Sequence, residues 1–334
     1  MIDVKISQVH KQEFKNLQES KLILLFKGKS VNEVLVNTLR RLSMDYVPTY
    51  AFYPDNITIE KNTSILNNDR MKLKLSQITI PDILVKPYFL EDKYWVDIDF
   101  RDPNQEKHPQ DKKLLEIYIN VTNDSKDSTY VLPVTTEHVK IYEDGVELTK
   151  FDPKFPHLFV KLRQNETFSC RCVGSLSIGL VHNIFAAAGT SYYDDITETE
   201  YKLSIESQGQ MDEYEILHKS CRIMKDKLNI TKKIVKNKYE QHQLTGNSIT
   251  FEFENEDHTL CNIINDYLQN HKDVAFSGLS KPSLLIDTMR ISLSTIKNDP
   301  VKIFDEIIDH IIKLFDEIES QTEKLGNKYI KYIK

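Results

Sequence analysis

The chain holds only four cysteines, Cys170, Cys172, Cys221 and Cys261, and no two of them form a CxxC pair. A structural zinc site draws on two such pairs or a Cys/His equivalent, so no metal centre is expected. Cys170 and Cys172 fall on one face of a predicted strand and read as buried free thiols. Long apolar runs are missing too. None approaches the roughly 18 residues that a membrane-spanning helix needs, and no charged n-region followed by an apolar h-region opens the chain. Both absences predict an intracellular, soluble protein with no membrane partner. Asn-x-Ser/Thr sequons such as Asn56 and Asn62 then read as chance in an Asn-rich chain. Positive charge is not in excess: 44 Lys and Arg stand against 50 Asp and Glu, a net charge of −6. Duplex binding relies on clustered cations, so nucleic acid is at most an indirect partner. No GxSxG, HExxH, Walker or Gly-rich nucleotide loop occurs. Asp257-His258 could serve as an acid–base pair, but no nucleophile pattern accompanies it, and the polarity suits a helix start better. No cofactor is expected.

What remains is an ordinary globular composition, 40% hydrophobic and 28% charged, in 334 residues. That length suits two or three domains. The most organised stretch is Ser30 to Phe52. Ser30 and Glu33 have the spacing of a capping box. Val31, Val34, Leu35, Leu39, Leu42 and Tyr46 then form one apolar stripe at helical spacing, and Pro48 stops the helix. Arg40 and Arg41 lie beside the stripe. Two guanidinium groups there are either solvated or meet carboxylates on a partner.

Along the chain, Lys21 to Lys27 reads as a strand that leads through Gly28 into this helix. Asn56 to Glu60 alternates as a strand, and Met71 to Ile80 is a short amphipathic element ending at Pro81. Alternation at Tyr94 to Phe100 and at Leu115 to Val121 predicts half-buried antiparallel strands. Residues 82–158 therefore read as an inserted β-rich domain. Strands follow at 158–163, 167–173 and 201–207, then a long helix from about Tyr214 to Val235. Lys219, Arg222, Lys225, Lys227, Lys232, Lys233 and Lys236 give that helix a basic outer face, solvated or in contact with a polyanion. Residues 236–245 read as a linker. A second unit, 246–321, holds a strand at 248–254 and a striped helix started by Asp257, with Leu260, Ile263, Ile264, Tyr267 and Leu268 on the stripe. Strands at 274–276 and 286–296 come next. Asp299 and Pro300 open a last helix, with Ile307, Ile311 and Phe315 among its apolar positions. The tail 322–334 reads as frayed.

The order strand, striped helix, strands, long helix occurs twice, in 21–80 resumed at 158–235 and again in 247–320, within expected domains 1–81 with 159–235 and 246–321. Aligning Asn37 on Asn262 places Leu39 on Ile264, with Arg40 and Arg41 on Asn265 and Asp266. Each unit has two wide apolar helix faces and few strands to cover them. Two units can bury those faces on each other about an approximate two-fold, and a shared chain favours that pairing. The expected fold class is α+β: two such units as an intramolecular pseudo-dimer, the first carrying an inserted β-rich domain. The predicted interface uses Val34, Leu35, Leu39, Leu42, Leu260, Ile263, Ile264, Tyr267, Leu268, Ile307, Ile311 and Phe315.

VNTLRRLSMDYVPTYAF, NTSILNND, the stretch from Leu75 to Pro81 and VGSLSIGLVHN resemble the alpha-type assembly subunits of DNA-directed RNA polymerase. This is the family of the third-largest subunit of polymerase II, its archaeal counterpart and bacterial alpha. GNSITFEFENEDHTLCNIINDYL, VAFSGLSKP and DTMRISLST are similar to the small eleventh subunit of polymerase II and to its archaeal equivalent. Both in one chain is, in this family, a feature of large cytoplasmic DNA viruses. The sequence departs from the pattern where Val36 and Cys261 replace the usual glycine, where Asn265 replaces an arginine, and where the cysteine-rich metal site is missing. The resemblance implies a non-catalytic platform for viral transcription. Its first unit would dock the second-largest subunit through Asn37, Arg40 and Arg41, its second unit the largest, with small subunits at the flanks. It implies a chain that is not a homodimer, located in the host cytoplasm at the viral factory, with the virion as a second location. A scaffold for another assembly is the alternative.

Overall fold

The computed structural model describes all residues except 1, 15–18, 81–82, 103, 105, 111–112, 149–150, 152–155, 240–246, 284–285, 287, 298 and 331–334; of 13, 14, 19, 238 and 239 it describes the backbone alone. The described residues form a mixed α+β fold. The chain opens with β1 (Lys5–Phe14) and β2 (Glu19–Lys27), then α1 (Glu33–Asp45), β3 (Thr49–Ala51), β4 (Ile57–Asn62) and α2 (Asn68–Ser76). β5 (Leu115–Thr122), β6 (Leu132–Thr135), β7 (Lys140–Glu143) and β8 (Val146–Glu147) follow. Next come β9 (Leu158–Leu162), β10 (Thr167–Val173), β11 (Ser175–Ser177), β12 (Ala188–Thr197), β13 (Glu200–Ser207) and α3 (Glu213–Tyr239). The last part holds β14 (Ser248–Glu254), α4 (His258–Gln269), β15 (Val274–Ser280), β16 (Thr288–Thr295) and α5 (Pro300–Gly326).

Three larger sheets carry the helices. An antiparallel sheet β1-β2-β13-β12 lies under α1 and α3, and β14-β16-β15 lies under α4 and α5. A third sheet runs β4-β10-β5-β7-β8. It takes β4 and β10 from outside 82–158, so the sheet crosses both expected edges of the inserted domain. β6 and β9 form a separate ribbon. Along β10, Phe168, Cys170 and Cys172 face the core with Val121, Ile119 and Ile117 opposite them. Cys170 and Cys172 are thus buried free thiols.

Several expectations are corrected. The cap of α1 is Asn32, whose Oδ1 accepts from the Leu35 N–H at 2.9 Å; Ser30 instead accepts from the Asp3 N–H at 3.1 Å. Residues 92–101 are a 3-10 turn and loops, not a strand, with Asp97 at φ 53°. Alternation there reflects half-buried loop contacts, such as the Trp95 indole donating to Leu90 O. α3 continues through Tyr239, past the expected linker start, and the rest of that linker lies outside the described residues, as does Pro81. α5 runs on to Gly326, and Tyr329 stacks on Tyr214 at 5.8 Å, so the expected frayed tail is packed through 322–330, and its residues 331–334 lie outside the described residues. β1 and β12 were not foreseen.

Candidate functional site at the helix seam

The apolar stripes meet where α1 packs against α3 and α4, and where α5 packs against α3 and α4. Leu35, Leu39, Leu42, Ile263, Ile264, Leu268, Ile311 and Phe315 have no exposed surface, and Leu260 and Ile307 have almost none. Val34 and Tyr267 are half-buried. The buried face of α1 is wider than its stripe. Val36, Thr38 and Ser43 are also buried, because β12 covers the side turned from α4. The Ser43 hydroxyl bonds Ser191 of β12 at 3.1 Å. Burying a side chain of this size is worth about 1.5–3 kcal/mol, so the seam contributes strongly to holding α1, α3, α4 and α5 together.

Polar contacts on the seam come in two matched pairs. The Asn32 Nδ2 donates to Asp266 of α4 at 2.7 Å. The Arg41 guanidinium donates to Asp257, the cap of α4, at 3.0 Å. Under the alignment of Asn37 on Asn262, Asn32 falls on Asp257 and Arg41 on Asp266. Each helix therefore offers its cap residue to the same later position of the other. Glu33, Asn37, Arg41, His258 and Asn262 line an open cleft of about 240 Å³ between the two helices.

Arg41 is thus engaged within the chain, with Asp45 as a second partner at 3.6 Å. Arg40 pairs with no carboxylate among the described residues. Its Nε donates to Asn37 Oδ1 at 2.9 Å, and its Nη1 lies 3.9 Å from the Met44 sulfur. Beyond α1, residues 174–188 pass close to its last turn. Gly179 permits this, since a Cβ there would stand 2.2 Å from the Met44 carbonyl oxygen. Asp257 spends both oxygens on the start of α4 and on Arg41. That engagement matches its reading as helix-start polarity.

The basic face of α3 is the clearest correction. Arg222 donates to Glu319 at 2.8 Å, Lys225 to Asp316 at 2.8 Å and also to Glu319, and Lys232 to Asp309 at 2.7 Å. These partners all lie on α5, and they run backwards along it as α3 advances, so the two 27-residue helices are antiparallel. Lys227 donates to both oxygens of half-buried Glu256 at 2.8 and 2.9 Å. Lys219 is buried with its Nζ donating to Val85 O, and burial lowers it to about 8. Burial tends to raise the Glu319 carboxyl, but bonds from Lys225 and Arg222 prevail and hold it below its ordinary range. Burial pushes Glu256 up, against the pull of Lys227. Of the seven cations expected on an outer face, Arg222, Lys225 and Lys232 instead tie α3 to α5, Lys227 ties it to Glu256 and Lys219 is buried, while Lys233 and Lys236 are exposed as expected. The sequence signal was available: Asp309, Asp316 and Glu319 mirror the spacing of Arg222, Lys225 and Lys232.

Among the described residues, no group of three or more His, Cys, Asp or Glu side chains is placed to hold a metal ion. No helix there is long and apolar enough to cross a membrane. Residues 248–321 match the RNA polymerase Rpb3/Rpb11 dimerisation domain family. The chain is also 26% identical over 333 residues to a protein of Acanthamoeba polyphaga mimivirus named as a DNA directed RNA polymerase subunit, an alignment covering 92% of each chain. The chain is thus similar to a giant-virus polymerase subunit along most of its length, and its last 90 residues or so contain a match to a dimerisation domain of that enzyme class.

Proposed function

We propose that this chain is a non-catalytic assembly subunit of a multisubunit DNA-directed RNA polymerase. In this reading its two helical units are alpha-type units fused in one polypeptide and paired as an intramolecular pseudo-dimer. The single observation that carries it is the reciprocal seam, Asn32 with Asp266 and Asp257 with Arg41. Such exchange of equivalent positions is the signature of an isologous, two-fold contact. The centred antiparallel pairing of α3 with α5 supports the same symmetry.

The platform docks the second-largest subunit on the α1 side and the largest on the α4 side. Arg40 and Asn37 carry the first contact, while Arg41 is retained for the internal seam. Small subunits join at the flanks. The chain acts in the host cytoplasm at the viral factory, and the virion is a second location. Likeness to the mimivirus subunit supports the viral setting. The test is purification of the tagged chain from cells in which the complex forms. Two very large polypeptides and RNA-synthesis activity should accompany it. A chain that emerges alone, or within an assembly without polymerase activity, would sink the proposal.

A further inference from the structure

Among the described residues, α2 carries a face that is largely uncovered. It buries only Met71, Leu75 and Ser76. Arg70, Leu73, Lys74 and Gln77 recur at i, i+3, i+4 and i+7 on its other side, and all four are exposed. Residues at that spacing form one continuous strip. Leu73 is 60% exposed, and Ile65 in the preceding loop is 76% exposed. That loop is built rather than slack. The Ser64 N–H and hydroxyl both donate to Asn62 Oδ1, and the Asn62 Nδ2 donates to Leu66 O and Asn68 Oδ1. Ile65 is therefore held out on a fixed turn, and a partner binding there pays little ordering cost.

The charged residues of α2 itself are three cations, Arg70, Lys72 and Lys74, and one carboxylate. On α3, Arg222, Lys225, Lys227 and Lys232 each meet a carboxylate. On α2, Arg70, Lys72 and Lys74 meet none among the described residues, nor does exposed Lys161 of the adjoining β9. Lys74 instead donates to the backbone carbonyl of Phe159 at 2.8 Å, which fixes α2 against β9. The one carboxylate of α2, Asp69, sits in its first turn. An acidic protein thus keeps a strip of uncompensated cations interleaved with exposed Leu73 and Ile65. Phosphate backbones would answer the cations and leave the apolar groups wet. A polypeptide segment with both carboxylates and apolar side chains answers both.

We infer that the exposed face of α2, with the Ile65 turn, docks an acidic amphipathic segment of another polypeptide in the assembly. The inference rests on the assembly-subunit reading for its setting but not for its chemistry. The test places a photo-reactive benzoylphenylalanine at Leu73 in the tagged full-length chain and, as a control, at Val146, which is 67% exposed. Cross-linked peptides are then identified by mass spectrometry. The expected result is a Leu73 cross-link to one segment rich in Asp, Glu and apolar residues, absent at Val146. An R70E/K74E variant with unchanged melting should weaken that cross-link by about tenfold or more, as charge reversal at a complementary contact does. Cross-links to nucleic acid, to a second copy of this chain, or to a neutral or basic segment would overturn the inference. So would labelling no stronger than at Val146. Large subunits that co-purify without the Leu73 cross-link leave the assembly reading standing and this docking face refuted; an acidic cross-link in a complex without them does the reverse.

Discussion

Asp257 of α4 holds Arg41 of α1 at 3.0 Å while its other oxygen accepts the Thr259 N–H at 2.7 Å. One carboxylate thereby starts a helix and ties it to the helix of the other unit. Both partners of the ion pair are 29% exposed, so water screens it, and such pairs contribute roughly 0–1 kcal/mol. The cap contributes about 1 kcal/mol.

Asp257→Ala should therefore cost about 1–2 kcal/mol in denaturant unfolding, and Asp257→Asn much less, because the amide oxygen still caps. Arg41→Ala should cost under about 1 kcal/mol. An Asp257→Ala protein as stable as wild type would mean that neither bond contributes.

Ile264→Asp should be far more damaging. Ile264 has no exposed surface at the seam, and an unpaired buried charge costs several kcal/mol. Thermal melting should show a large loss or no cooperative transition. An unchanged melt would contradict the burial.

Arg40→Ala should leave the melt unchanged, since among the described residues the Arg40 side chain bonds within its own helix, to Asn37 and Met44. Under the proposed function it should abolish capture of the second-largest subunit, because a charge-assisted interface bond costs about 2–5 kcal/mol to lose. Normal capture by this variant would move the docking surface elsewhere on the first unit.

The isolated chain should be a monomer. Both halves of the reciprocal seam lie in one polypeptide, which satisfies the surfaces that would otherwise pair between molecules. Light scattering should give a mass near 39.1 kDa. A dimer that survives dilution would show that the seam exchanges between chains.

His218 of α3 is buried against Glu319 at 3.5 Å, with Arg222 and Lys225 nearby. Burial holds its imidazole below the ordinary 6.5. In the window below 6.5 the unfolded chain takes a proton that the folded chain resists. The stability due to neutral His218 is thus present above that window and lost as pH falls through it. Glu319 is held below its ordinary range and gives way only at lower pH. Between about pH 7.5 and 5.5, wild type should lose more stability than His218→Gln. Equal losses would show that His218 does not titrate in this window.

Much of the architecture could be read from residue order. The stripes of α1 and α4 and the Asp299-Pro300 start of α5 announce themselves, because helical spacing and caps are local. β1 and β12 do not. β12 is an edge strand whose Tyr192, Asp194, Asp195 and Ile196 are all exposed, so no alternation marks it. β1 is an edge strand too, and its Lys11 is buried against Tyr214 and Tyr329 of distant elements. The cation row of α3 misled for a related reason. A lysine face looks alike whether water or another helix covers it, and only the mirrored acids of α5 distinguish the two. The resemblance implies docking through Asn37, Arg40 and Arg41, and Asp257, far away in sequence, distinguishes the two arginines by engaging Arg41 within the chain.

Gln321 of α5 treats β1 as a neighbouring strand would. Its Oε1 accepts the Ile6 N–H at 2.8 Å, and its Nε2 donates to Val4 O at 2.7 Å. These two bonds tie the start of β1 to a residue 315 positions beyond Ile6, so this part of the edge is satisfied only when α5 is in place. Without α5, the Ile6 N–H and the Val4 carbonyl would be unpaired backbone of the kind that invites foreign strands. Gln321 thus guards this stretch of edge with a single side chain where a further strand would otherwise be needed.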